Sequence, residues 1–156
     1  MDDKILKKRP ILVAASVGSS VRIYGDLITL ETLKDFHRTL LHVLGESGAD
    51  IIAFETIPSK VEAQAFAALL DEGDVEILRV SFNSKDGVNV VSGGDSIKEC
   101  IALADVCEKV VAVGINCTSP RFMEGLVLEI GKVTSKPILV YPNSGERYDA
   151  NRKSGL

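Results

Sequence analysis

The sequence predicts an α/β protein built on a parallel sheet with covering helices, and three observations carry that prediction. Short β-branched runs recur along the chain at roughly 25- to 40-residue spacing, and most are apolar on both faces, as buried parallel strands are. Segments of helical periodicity lie between them. Several of those segments open on a serine followed by a first-turn proline or, three residues later, a glutamate.

The first strand is expected at Ile11–Ala15. A long helix follows from Leu30 to Glu46, with Leu33, Phe36, Leu40 and Leu44 as its apolar stripe and Gly48 as its C-terminal stop. The second strand is Ile51-Ile52-Ala53-Phe54. Ser59 and Glu62 then form a capping box, in which side-chain oxygens satisfy free N–H groups of a first turn. The third strand is expected at Glu76–Val80, and Ser96 with Glu99 caps the next helix in the same way. The fourth strand is Val110–Ile115. Ser119 serves as N-cap and Pro120 as first-turn residue of a helix whose buried face is Phe122, Leu126, Ile130 and Val133. Ile138–Tyr141 is the fifth strand. Strand, helix, strand with right-handed crossovers leaves two architectures open, an arc of an eight-stranded barrel or an open doubly wound sheet, because both bury their strands.

The chain has 156 residues, 46% hydrophobic and 26% charged, a balance suited to one domain spanning 1–156. A net charge of -4 argues against a nucleic-acid partner. The Lys7-Lys8-Arg9 cluster reads as a solvated lead-in to a strand. No apolar run approaches the ~18 residues that cross a bilayer, and no secretory layout opens the chain, so no membrane partner and a cytoplasmic location are expected. Cys100, Cys107 and Cys117, an odd number in separate contexts, fit reduced thiols rather than a disulfide framework.

In either architecture a ligand site lies at the carboxyl ends of the strands, where loops converge. Glu55 ends the second strand, and a carboxylate there needs a partner: a substrate ammonium, or N–H groups of the next helix start. Cys117 ends the fourth strand and reads either as a zinc ligand or as a small buried hydrophobe. Cys100 and Cys107, seven positions apart on one helical face, are expected to fill core. His37 and His42, five apart, diverge on their helix and read as structural. Ser92-Gly93-Gly94-Asp95 could cradle an anion, but it lacks the full phosphate-loop pattern and reads as a loop with an N-cap.

Four strings together resemble one family: Val13-Ala-Ala-Ser-Val-Gly18, Gly48-Ala-Asp-Ile-Ile-Ala-Phe-Glu-Thr-Ile-Pro58, Val113-Gly-Ile-Asn-Cys117 and Val140-Tyr-Pro-Asn-Ser-Gly145. They look like the homocysteine S-methyltransferases, particularly the plant type that uses S-methylmethionine. The resemblance runs from about Arg9 to Lys153. It implies a (βα)8 TIM barrel, here truncated to about five parallel strands with covering helices. It also implies homocysteine and a sulfonium methyl donor as partners, and zinc as cofactor. Cys117 matches the first of the family's three zinc-binding cysteines; the other two belong to a later Gly-Gly-Cys-Cys. By the same resemblance Glu55 pairs with the homocysteine ammonium, and Asn116 and Asn143 supply hydrogen bonds at the rim.

Set against that barrel of ~250 residues, the chain starts at what looks like the third strand and stops before the Gly-Gly-Cys-Cys. The loop after Ser19-Ser20 is shorter than the family's. The resemblance therefore implies homocysteine S-methyltransferase ancestry, with a non-catalytic fragment lacking two zinc ligands as the alternative. It also implies self-association through unpaired strand edges at Ile11–Ser16 and Pro137–Tyr141.

Overall fold

The computed structural model describes residues 11–20, 29–73, 78–90, 94–145, 148–149 and 154–155. Five strands, β1 (Ala14–Val17), β2 (Ile51–Ile57), β3 (Leu78–Phe82), β4 (Val110–Asn116) and β5 (Ile138–Tyr141), form one sheet in the order β1-β2-β3-β4-β5. Every pairing is parallel. Each new strand is added on the same side of the last. A doubly wound sheet must reverse its direction of growth at a switch point; this sheet never does, so it has the winding of a barrel arc.

The connecting helices are α1 (Leu30–Gly45), α2 (Lys60–Glu72), α3 (Ile97–Asp105) and α4 (Met123–Ile130). A short antiparallel pair, β6 (Tyr148–Asp149) and β7 (Ser154–Gly155), stands apart from the sheet.

Strand boundaries follow the ladder rather than local propensity. β1 starts at Ala14, three residues later than expected, because its partner starts at Ile51: the Val13 carbonyl accepts from Asp50 and Ile51, and Asp50 Oδ2 accepts from the Val13 N–H at 2.7 Å. Ile11, Leu12 and Val13 remain exposed. β3 runs on to Phe82, and the Glu76–Ile77 part of the expected strand lies outside the described residues.

The core lies between the sheet and the helices, with Phe54, Ile57, Val80, Phe82, Val113 and Ile115 meeting Phe66, Leu70, Ile101, Leu126 and Ile130. Phe54 and Phe66 stack with centroids 3.6 Å apart.

The buried stripe of α1 is Leu33, His37 and Leu41, rotated by one position from the expected Phe36 and Leu40; Leu44 packs against the core edge. His37 turns inward because a carboxylate waits for it. Glu62 Oε1 lies 3.0 Å from His37 Nε2 and also accepts from the Ser20 N–H and Oγ at 2.8 and 3.1 Å, while Oε2 accepts from Ser19 Oγ at 2.8 Å. Ser59 still caps α2 by accepting from the Glu62 N–H. The Glu62 side chain, however, is fully buried and committed to this cluster, so the expected reciprocal bond is replaced by a tie between α1, α2 and the end of β1. Ser96 and Glu99 form the complete capping box.

Ser119 makes no side-chain cap; its carbonyl accepts from Phe122 across a 3-10 turn, Pro120–Phe122, that leads into α4. Cys100 is buried in the core. Cys107 packs against the core from beyond the end of α3, where Lys136 Nζ bonds the Ala104 and Cys107 carbonyls. Gly48, with φ +76°, lies three residues past the end of α1, whose C-cap is Glu46.

Candidate functional site

Strand register decides which side chains share a face. Ser16 pairs with Ala53, Ala53 with Arg79, Arg79 with Ala112, Ser81 with Gly114, Gly114 with Leu139 and Asn116 with Tyr141. Glu55, two residues beyond Ala53, joins them. The face away from the core is therefore floored by Ala53, Ala112 and Gly114 and turns polar toward the carboxyl ends of the strands. The strands are not apolar on both sides, as their composition suggested: small residues on this face leave room, and polar ones fill it.

Glu55 sits at the centre. Its Oε2 accepts from Ser16 Oγ at 2.8 Å, and its Oε1 accepts from Tyr141 Oη at 3.1 Å and pairs with Arg79 Nη2. Side chains from β1, β3 and β5 thus converge on one carboxylate of β2. No helix-start N–H reaches Glu55 in these contacts; the first N–H of α2, from Lys60, goes to Asp95 Oδ2 at 3.2 Å. Asp95 thereby ties the loop before α3 to α2, while Ser92 and Gly93 lie outside the described residues. Burial holds the Tyr141 hydroxyl above its ordinary range, with the neighbouring Glu55 charge adding to the rise. Tyr141 is thus a protonated donor to Glu55.

The second half of the site is built around Cys117. Between Phe54 and Ile57 the β2–β3 register slips, and Thr56 takes φ +62°. Cys117 takes φ +46° at the end of β4. Left-handed backbone at two non-glycine positions costs on the order of 1–3 kcal/mol each and persists only where surroundings enforce it. Asn116 does the enforcing. It is buried, its Oδ1 accepts from the Thr56 N–H at 3.0 Å, and its Nδ2 donates to Thr56 Oγ1 at 2.7 Å.

Two donors then face the sulfur: Asn116 Nδ2 at 3.3 Å and Thr56 Oγ1 at 3.6 Å from Cys117 Sγ. Ser81 Oγ lies 3.0 Å from Asn116 Oδ1 and 2.7 Å from Tyr141 Oη, which links the Cys117 half to the Glu55 half.

Of the residues singled out from the sequence, Glu55, Asn116 and Cys117 are gathered at one mouth. Asn143 follows β5, exposed, with its backbone N–H bonded to the Thr118 carbonyl at 3.0 Å. Arg79, Thr56, Ser81 and Tyr141 complete the network. The period-two alternation of Arg79 and Ser81 along β3 was their available signal. His42 is exposed, as a solvated helix residue.

This mouth is the place where the family strings meet. A profile of the homocysteine S-methyltransferases matches residues 2–155. The chain belongs to that family. It is 76% identical over 164 aligned positions to homocysteine S-methyltransferase 2 of Arabidopsis thaliana, covering 98% of this chain and 49% of that protein. It is 77% identical to selenocysteine Se-methyltransferase of Brassica oleracea var. italica, over 97% of this chain and 47% of that one. The chain thus spans about half the length of the curated relatives it matches.

Among solved structures it resembles the apo form of the homocysteine methyltransferase MmuM from Escherichia coli, with TM-score 0.78 and 33% identity over 92% of this chain and 55% of that one. The metallated form of MmuM aligns equally well, at TM-score 0.78 and 31% identity over 92% of this chain and 54% of that one.

A metallated relative raises the question of whether this member of the family can hold a metal. Cys117 is exposed at the mouth, and among the described residues the donors beside its Sγ, from Thr56 and Asn116, are neutral. Among the described residues no three His, Cys, Asp or Glu side chains come together. One sulfur does not make a tetrahedral site, so the described residues do not by themselves fit zinc.

Thiol labelling checks the placement of the cysteines. Cys117 is expected to react with a thiol reagent in the native state, whereas Cys100, whose thiol burial pushes up to about 12, reacts only on unfolding. Persistence of the fast reaction after Cys117→Ser would contradict the geometry.

Proposed function

We propose that this chain carries the acceptor half of a homocysteine S-methyltransferase site. The observation that carries the reading is the convergence of Glu55 and Cys117, from β2 and β4, on one mouth through Thr56 and Asn116. Glu55 serves as counter-charge for the ammonium of homocysteine. The acceptor sulfur, as thiolate, attacks the methyl carbon of a sulfonium donor, S-methylmethionine or S-adenosylmethionine. A new C–S bond forms, the old one breaks with its electron pair returning to the donor sulfur, and the thiol proton passes to solvent. The acceptor becomes methionine. A sulfonium leaves as a neutral thioether, so no general acid is needed.

Asn116 and the strained backbone at Thr56 and Cys117 position this mouth, since all four hydrogen-bonding directions of the Asn116 amide point to protein groups. Asn143 is placed at the rim. Cys117 is proposed as one ligand of a zinc site whose remaining ligands are not among the described residues. The reduced cysteines suit the cytoplasm, and the outer edges of β1 and β5 suit self-association, which sedimentation would reveal.

The Cys117 sulfur, which no group of metal ligands accompanies among the described residues, favours a second reading, in which the 156-residue chain by itself is non-catalytic. Metal analysis and methionine formation from homocysteine and S-methylmethionine separate the two. The chain alone is expected to hold well under one zinc. Fusion to a family segment carrying Gly-Gly-Cys-Cys is expected to restore both metal and transfer, and Glu55→Gln in that fusion raises the KM for homocysteine about 10- to 100-fold. Full zinc loading of the fusion without methionine formation would overturn the first reading. Running selenocysteine beside homocysteine in the same assay tells which acceptor the site prefers.

A further inference from the structure

The carboxylate proposed to meet an ammonium is already paired with a cation, Arg79, and that cation has no part in the transfer chemistry. Its setting suggests one. Arg79 rises from the floor of the open face between its register neighbours Ala53 and Ala112, both buried, whose small side chains leave room for its stem. The guanidinium lies 5.5 Å from the centre of the Tyr141 ring, and the hydroxyl of that ring donates to Glu55. Tyr141 therefore braces both members of the pair. Both remain partly open to the mouth, with side-chain exposures of 26% for Arg79 and 22% for Glu55.

The donor count is lopsided. A guanidinium has five N–H donors in a rigid fork. Among the described residues only Nη2 is engaged, with Glu55; Nε is buried without a partner, and the donors left for a ligand are those of the terminal nitrogens. A positive group with unspent donors beside a negative one with an unspent acceptor position is an oriented pair of opposite charges. Its complement is a ligand with the charges reversed, which is what the ammonium and carboxylate of an α-amino acid present.

We propose that Arg79 binds the α-carboxylate of the amino-acid substrate while Glu55 binds its ammonium, so that the ion pair is a zwitterion clamp and Arg79 a specificity-determining residue. The inference rests on the proposed amino-acid acceptor and adds the group that reads its carboxylate. Bidentate contact with a carboxylate is the geometry arginine serves best. The clamp also discriminates against simple thiols, since a ligand with neither charge gains neither contact and leaves Arg79 and Glu55 paired with each other.

The test uses three thioethers and the 156-residue chain, so that metal loading does not enter: L-methionine, 3-(methylthio)propylamine without the carboxylate, and 4-(methylthio)butanoate without the ammonium. Affinities are measured by calorimetry. Arg79→Met is expected to weaken methionine and the butanoate about 10- to 100-fold while leaving the propylamine unchanged or tighter. Glu55→Gln is expected to weaken methionine and the amine but not the acid. Arg79→Lys, which keeps the charge and loses the fork, falls between wild type and Arg79→Met and guards against a folding defect in the latter.

Unchanged butanoate affinity in both Arg79 variants would overturn the clamp, as would tighter methionine binding, the mark of an arginine that merely competes for Glu55. Absence of methionine binding to the wild-type chain would overturn it outright. If the clamp behaves as expected and the fused, zinc-loaded protein makes no methionine, the clamp stands and the transferase reading alone fails.

Discussion

Glu62→Ala is expected to lower the unfolding free energy by about 3–5 kcal/mol, a large share of the roughly 5–15 kcal/mol that holds a typical domain. The reason is what the substitution leaves behind. Glu62 is fully buried and accepts from His37 Nε2, Ser20 N–H, Ser20 Oγ and Ser19 Oγ. Removing the carboxylate strands those donors in a medium where an unpartnered polar group is expensive. His37 suffers most, because its Nδ1 already lacks a partner among the described residues.

The pH dependence of the same cluster has a definite sign. Burial alone pushes the Glu62 carboxyl up, but the hydrogen bonds from His37, Ser20 and Ser19 outweigh it and hold it below its ordinary 4.5. A carboxyl depressed in the folded state contributes stability that is fully present above about 4.5 and is lost as pH falls through the lowered folded value. Urea unfolding of wild type at pH 7 and pH 3 should show that loss, and Glu62→Gln should flatten it. A Glu62→Ala cost under 1 kcal/mol would mean that the cluster is not the tie between α1, α2 and the end of β1 described above.

Gly114→Ala is expected to cost about 3 kcal/mol or more and to release β5 from the sheet. A Cβ at this position runs into the Leu139 carbonyl oxygen and comes 3.0 Å from the carbonyl carbon, and a backbone group on a neighbouring strand cannot swing aside as a side-chain tip can. Gly114 pairs with Leu139 at the middle of the β4–β5 ladder. Displacing β5 also removes the Tyr141 hydroxyl from Glu55 and the Tyr141 carbonyl from the Cys117 N–H. The site should therefore loosen together with the fold. Faster amide exchange confined to β5, with methionine binding lost in step, is the expected signature. An alanine variant with wild-type stability and exchange would show that the two strands do not approach this closely.

Much of this architecture was legible one residue at a time. The five strands were visible as β-branched runs, and the starts of α2 and α3 as Ser59 and Ser96. Glu55 and Cys117 could be placed at strand ends because a parallel α/β sheet gathers its loops there. These features depend on local periodicity and capping, which a linear sequence displays directly.

Other features depended on partners distant along the chain. His37 interrupts an apolar stripe, and nothing nearby announces that Glu62 will meet it inside the core. Glu62 reads as half of a capping box because the competing acceptor role arises only when the end of β1 folds over it. The register slip at Thr56 and the left-handed turn at Cys117 are imposed by Asn116, sixty positions from Thr56. Arg79 becomes Glu55's partner only through the β2–β3 register.

By itself, then, the sequence determined the class, the order of elements and the end of the sheet where chemistry belongs, because those follow from short-range patterns of apolar, small and capping residues. Tertiary structure alone decided which buried charges meet, which amide holds two strained turns in place and which cation faces the carboxylate, because each is a contact between strands or helices whose register no local pattern encodes.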